Sequence, residues 1–349
     1  MSTLVSRHFL GLAIFLACSS TRPLELPAVE IECQRVLAPA ADLNGGGRPV
    51  VTAVALNQAG DLAAVAGDDN CVRLWEVRTG KLVRELRGHT DWVRAVAFSP
   101  ASNQVASASN DHSVRIWSLE SGDTIHLIGG TSHPILCIAY WPNGEFLAAG
   151  GFEGEVRLFD ARSGSMVRAL LCPDPEVRTL DISPDGRLLA AGGRNGLIRV
   201  WNAVTFERSR DIAAHRIRVR AIAFSADSRQ LASGGDDRQL RLWNAETGEE
   251  TSNLANRRGK IETLVFCGDQ LLVSGATDNS LRLWNVVTKT EIVQFIGHTG
   301  SVTALAVHPA TGLLLSGSYD TTARTWNLPP AAKPEVTEID SKPGLLGAP

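Results

Sequence analysis

Seven large aromatic residues recur along the chain at near-constant separation. Trp75, Trp117, Phe159, Trp201, Trp243, Trp284 and Trp326 lie 42, 42, 42, 42, 41 and 42 residues apart. A repeat of about 40 to 45 residues made of short strands cannot bury its apolar face alone, so consecutive copies must pack on one another around a shared centre. Function then has to be sought on the surface that such an array presents.

Each copy has the same inner grammar, clearest between Gly88 and Leu127. A Gly-His pair opens it, followed by the apolar run Val93 to Phe98, a polar turn at Ser99 to Asn103, and Gln104 to Ser109. The turn Asn110-Asp111-His112-Ser113 leads into Val114-Arg115-Ile116-Trp117, and Ser121-Gly122 into Thr124 to Leu127. The runs are short, rich in β-branched and aliphatic residues, and separated by turn formers, so they are predicted to be strands, four to a copy.

This grammar resembles that of the WD-repeat family, in a bacterial-type form, over roughly residues 31 to 328 with seven matching copies. The name-giving dipeptide departs from the family pattern: it reads Trp-Glu at Trp75, Trp-Ser at Trp117, Phe-Asp at Phe159 and Trp-Asn in the other four. The resemblance implies an all-β fold, a seven-bladed β-propeller of four-stranded antiparallel blades, and a non-catalytic scaffold that binds a partner protein or peptide on one face.

Ring closure can be placed from the residues. The last copy runs out at Trp326-Asn327-Leu328 and meets Pro329-Pro330, and proline cannot donate to a strand ladder. A fourth strand must come from elsewhere, and Glu32 to Leu37, just ahead of the first copy, is predicted to complete the seventh blade.

The resemblance also implies a hydrogen-bonded chain of His, Ser, Asp and Trp inside a blade. Three copies carry all four: His89, Ser107, Asp111 and Trp117; His215, Ser233, Asp237 and Trp243; His298, Ser316, Asp320 and Trp326. A Ser, a His and an Asp together also invite a hydrolase reading. A catalytic site has no reason to be copied at a structural period with a Trp attached, so the trios are read as architecture. The other copies are incomplete: Val65 and Gly47 in blade one, Glu153 and Ala149 in blade three, Asn195 and Ala191 in blade four, and Arg257 at the His position of blade six. Blades three and four are expected to be the weakest.

Net charge is −3 and the pI near 6.3, which gives no sign of a general nucleic-acid binder. Residues 1 to 20 lie outside the repeat: Arg7 and His8 precede the apolar run Phe9 to Cys18, too short to span a membrane and matching the core of an export signal. Two processing routes stay open, ordinary cleavage near Ala17-Cys18-Ser19 or a lipoprotein signal with lipid attached at Cys18, the one membrane link foreseen. Export to the periplasm, the membrane surface or the medium is the preferred reading; a cytoplasmic protein with a misassigned start is the alternative. Residues 21 to 30 read as a linker, and the proline-rich tail from 329 to 349 is expected to be disordered. Cys33, Cys71, Cys137, Cys172 and Cys267 are odd in number and scattered, which excludes a disulfide framework or zinc ribbon as an organising feature, and no cofactor or metal is foreseen.

Mapping the family's upper rim onto this sequence gives positions flanking the start of each first strand and the residue before each turn Asp. The resemblance thereby marks Trp92, Arg94, Phe152, Arg178, Arg194, Arg218, Arg220, Lys260 and Tyr319 as partner-binding. Five of these cations fall on blades four to six, and arginine and aromatic residues are the usual anchors of interface hot spots. An acidic or phosphorylated peptide across the upper opening is the reading; the alternative is that Glu176, Asp236 and Glu262 neutralise the sector. A propeller enzyme, hydrolase or lactonase-like, with a site at the central channel is the rival from another class. Against it stand the small apolar residues expected along the channel, such as Ala95, Ala97, Ala221 and Ala223, and the lack of a phosphate loop or nucleophile elbow.

Overall fold

The computed structural model describes residues 29–38, 47–254 and 258–329. The segment predicted to be an export signal, with Cys18, nearly all of the predicted linker, Arg257 and the tail beyond Pro329 lie outside the described residues. Within them the chain is all β, arranged as seven antiparallel sheets, one per repeat. In each copy the first strand is innermost and the fourth outermost, as in Val93–Phe98, Gln104–Ser109, Val114–Ser118 and Thr124–Ile128 of blade two. Each innermost strand lies beside those of the two neighbouring blades, and Val302–His308 of blade seven lies beside Val51–Leu56 of blade one, so the ring is closed.

The second strands are buried almost end to end, which explains their unbroken runs of small and apolar residues. Their glycines mark where the next blade arrives. A Cβ on Gly317 would stand 2.5 Å from Cγ1 of Val51 across the closure, and one on Gly234 would stand 2.3 Å from Cγ2 of Ile261. Only a residue without a side chain lets a β-branched neighbour come that close. The anchors sit between blades: Trp326 packs with Phe295 and Val293 of blade six, and Trp117 with Val72, Leu74 and Leu86 of blade one.

Closure divides the N-terminal segment. Strand β1 (Val29–Glu32) pairs in parallel with Thr290–Ile296 and adds a fifth strand to blade six, and β2 (Arg35–Leu37) pairs antiparallel with Ala323–Asn327 as the fourth strand of blade seven. The predicted closing strand is therefore right in its partner, but it begins at Arg35. Glu32 belongs to blade six, because the chain crosses from one outer edge to the next at Cys33 and Gln34. Leu37 is buried in the core shared by blades seven and one, with Val51, Val65, Trp75 and Leu315.

Candidate functional site

At the entry to every innermost strand one residue is skipped in the pairing. Val93 faces Ser109 and Ala95 faces Ala108, leaving Arg94 without a partner; the same break occurs at Thr52, Leu136, Arg178, Arg220, Glu262 and Thr303. A β-bulge re-aims the extra residue. Here it does so once per blade, and these seven side chains together with Tyr319 enclose a cavity of about 120 Å³ at the upper mouth of the ring. The mouth is thus polar and charged, where sequence suggested a small apolar channel. Ala221 and Ala223 are buried against the core between blades five and six, and Ala95 and Ala97 pack on the core between blades two and three.

The cations predicted for the rim separate into two groups. Arg220 donates to Asp236 at 2.8 Å and to Glu262 at 3.0 Å, Arg218 to Glu176 at 3.1 Å, and Lys260 lies 3.5 Å from Asp236. These three cations are answered by the carboxylates that sequence reasoning had weighed against them. Arg94 and Arg178 are not answered. The Arg94 guanidinium donates to Asn110 Oδ1 at 2.8 Å and lies over the Trp92 ring at 4.7 Å. Arg178 makes no hydrogen bond or ion pair among the described residues. Burial first, and then the like charge of Arg178, push Arg94 below the usual guanidinium range. Two guanidinium groups therefore face one cavity with no carboxylate between them. Trp92, Phe152 and Tyr319 are exposed beside them, at 38%, 42% and 47%. Arg194 is exposed and is absent from the mouth lining.

The His, Ser, Asp and Trp sets lie inside the blades. Trp117 Nε1–H donates to Ser107 Oγ at 2.8 Å, and Ser107 Oγ stands 2.7 Å from His89 Nε2. With one lone pair of Ser107 occupied by the indole, its hydroxyl proton goes to His89 Nε2, so Nδ1–H donates to Asp111 at 2.7 Å. The same chain runs through His215, Ser233, Asp237 and Trp243, and through His298, Ser316, Asp320 and Trp326. Each serine is fully buried, so no substrate can reach its oxygen. Blade six keeps part of the set, Trp284 donating to Ser274 at 2.9 Å.

The incomplete blades show what sequence reasoning missed. An arginine stands two residues before the anchor in all seven copies: Arg73, Arg115, Arg157, Arg199, Arg241, Arg282 and Arg324. Where the His is absent, that arginine turns to the acid of the turn. Arg73 bonds Asp69 at 2.5 Å and Glu85 at 3.0 Å, Arg282 bonds Asp278 at 3.0 Å, and Arg157 bonds Glu153 and Glu155. In blade four Arg199 instead grips Asp211 with two bonds, and Asp174 takes the backbone N–H groups of Glu176 and Asn195. The 42-residue register carries this signal, but the choice of partner depends on which side chains the blade lacks.

Six stretches match the family model described as WD domain, G-beta repeat: residues 38–76, 80–118, 122–160, 164–202, 206–244 and 289–327. The chain belongs to the WD-repeat family. The stretch left unmatched holds the first three strands of blade six, the copy that ends on the 41-residue spacing. Among curated proteins, WD repeat-containing protein 97 from Homo sapiens is 59% identical over 39 residues, which is 11% of this chain and 2% of that protein. The likeness is that of about one repeat. WD-repeat propellers are commonly used for protein–protein interaction and typically act as scaffolds without catalysis. Among the described residues there is no group of three or more His, Cys, Asp or Glu side chains able to hold a metal ion.

Proposed function

We propose that this WD-repeat propeller is a non-catalytic scaffold that receives an acidic or phosphorylated segment of a partner protein across its upper mouth. The observation that carries the reading is the pair Arg94 and Arg178, whose guanidinium groups line the mouth with no carboxylate paired to either among the described residues, the acid that lines it, Glu262, being taken by Arg220. An anionic side chain entering there relieves their mutual repulsion and gains charge-assisted, bidentate hydrogen bonds. Leu136 lines the mouth on the blade between them and Phe152 is exposed on that blade's rim, so an apolar side chain next to the anion finds a place to pack. Arg218, Arg220 and Lys260, already paired, hold the wall of the mouth in shape; Trp92, Arg194 and Tyr319 extend the contact at the rim.

The test is affinity capture from the native organism with wild-type protein and with the Arg94→Ala/Arg178→Ala double variant. The reading requires at least one partner that wild type retains and the variant loses, with an unchanged melting temperature. An identical set of partners for both proteins contradicts it.

A further inference from the structure

A second site lies between blades three and four, on the outer part of the ring, and it begins with a departure from the repeat. The turn between the third and fourth strands carries a residue with left-handed backbone at Gly80, Gly122, Gly164, Gly248 and Lys289; in blade four that residue is Phe206, with φ +62°. A bulky side chain in that region is a genuine outlier.

The glycines have a partner. In the blades around them a long side chain from the preceding blade's fourth strand crosses over the turn and bonds its carbonyls: Arg84 to Glu120 and Ser121, His126 to Arg162, Arg210 to Ala245. A Cβ on Gly122 would stand 2.6 Å from Cδ of Arg84. At blade four the Phe206 ring occupies this space. Arg168, which stands where Arg84 and Arg210 stand in their blades, is lifted over the ring at 5.3 Å from its centroid and makes no hydrogen bond among the described residues.

What remains is an open groove of about 470 Å³ lined by Arg168, Leu170, Leu171, Arg199, Phe206 and Arg208 among others, a volume in the range of ligand sites. It holds three arginines against one carboxylate: Asp211 is shared by Arg199 at 2.6 Å and Arg208 at 2.9 Å. Along it runs Met166–Leu171, the outer edge of its sheet, with Met166, Val167 and Leu171 exposed and no strand paired to that edge among the described residues. The chain itself shows how such an edge is used. Strand β1, whose sequence Val29-Glu30-Ile31-Glu32 alternates apolar and acidic residues, adds in parallel to the corresponding edge of blade six.

We propose that the groove between blades three and four is a binding site for an extended partner segment that alternates apolar and acidic residues. The segment adds as a fifth strand to Met166–Leu171, its carboxylates on the face of Arg168 and Arg208 and its apolar side chains on the opposite face with Leu171. Main-chain pairing supplies affinity, and the alternate side chains supply specificity. The site shares no residue with the upper mouth and does not depend on that reading.

The experiment is fluorescence anisotropy on the full chain with a short fluorescein-labelled peptide alternating Val or Ile with Glu. Saturable binding is expected, weakened by about tenfold or more in Arg168→Glu, whose side chain is exposed and whose change leaves the fold intact. Phe206→Gly should weaken it too, because Arg168 then settles over the turn and fills the groove. Arg94→Ala/Arg178→Ala should leave it unchanged. Absence of binding by wild type, equal binding by Arg168→Glu, or loss only in the mouth variant would each overturn the proposal.

Discussion

Arg35, on the strand that closes the seventh blade, donates to the carbonyl of Thr79 at 2.8 Å, and its second terminal nitrogen reaches Arg78 O at 2.9 Å. One guanidinium thus ties the last blade to the first at the outer rim, as Leu37 ties them in the core.

The two ties differ in weight. Leu37 is 1% exposed, so Leu37→Ala leaves a cavity in the closure and is expected to cost about 2 to 5 kcal/mol. Arg35 is exposed, and Arg35→Ala should cost no more than about 1 kcal/mol. Thermal unfolding of both variants checks the order. Removal of residues 30 to 38 should exceed either, and an unchanged melting temperature after that removal would refute the closure.

Blade one offers a repair. Val65 stands where the complete blades have Ser, and the buried Trp75 Nε1–H has no acceptor among the described residues. Val65→Thr keeps the branched shape and supplies an oxygen. A hydroxyl forced into a core without a partner costs about 1 to 3 kcal/mol, and that is the expectation for Val105→Thr, a buried control in blade two. Val65→Thr should be at least as stable as wild type. Equal destabilisation of the two variants, measured by denaturant unfolding, would show that Trp75 gains nothing.

Acid should weaken the fold in a specific window. Burial pushes His89 and His215 below the usual histidine range, against the pull of Asp111 and Asp237. Unfolded histidines take up protons near about pH 6.5 that these folded ones refuse, so the unfolded chain binds more protons and stability falls as pH drops below that value. For Asp320, burial opposes ionisation, but the bonds from His298 and Thr322 prevail and hold it well below the usual carboxylate range. It adds stability that is present above the unfolded carboxylate pKa and is lost at lower pH.

Asp181 has the opposite sign. It occupies a position that is alanine at Ala55, Ala97, Ala139, Ala223 and Ala306, and burial raises it to about 6 although Phe224 and Ile182 donate to it. Its folded form binds the proton more tightly than the unfolded one, so the stability this contributes is present in acid and lost as pH rises through about 6. Asp181→Ala should therefore raise the melting temperature more at about pH 7.5 than at about pH 4.5. An equal shift at both would contradict the assignment.

The number of blades, their strand order and the partner of the closing strand were legible in the sequence because all three follow from a period and its turn residues. The bulges were not, since one unpaired residue leaves the apolar run unchanged while turning Arg94 or Arg178 into the mouth. The pairing of Arg218, Arg220 and Lys260 was foreseen only as an alternative, because, apart from Asp236 on Arg220's own blade, the acids that answer them reach across from neighbouring blades. β1 escaped notice because four residues carry too little pattern to show that they leave one blade for another. Phe206 was visible as a break in a column of glycines and Lys289, but its meaning depends on Arg168, which precedes it by nearly a whole repeat.

The most direct measurement places a photo-crosslinking amino acid at Tyr319, which lines the mouth, and at Val287, exposed on a turn of blade six, and recovers crosslinked partners from the native organism. The mouth account predicts a partner crosslinked from Tyr319, lost when Arg94 and Arg178 are replaced by alanine, and absent from Val287. A partner captured from Val287 and not from Tyr319 would contradict it.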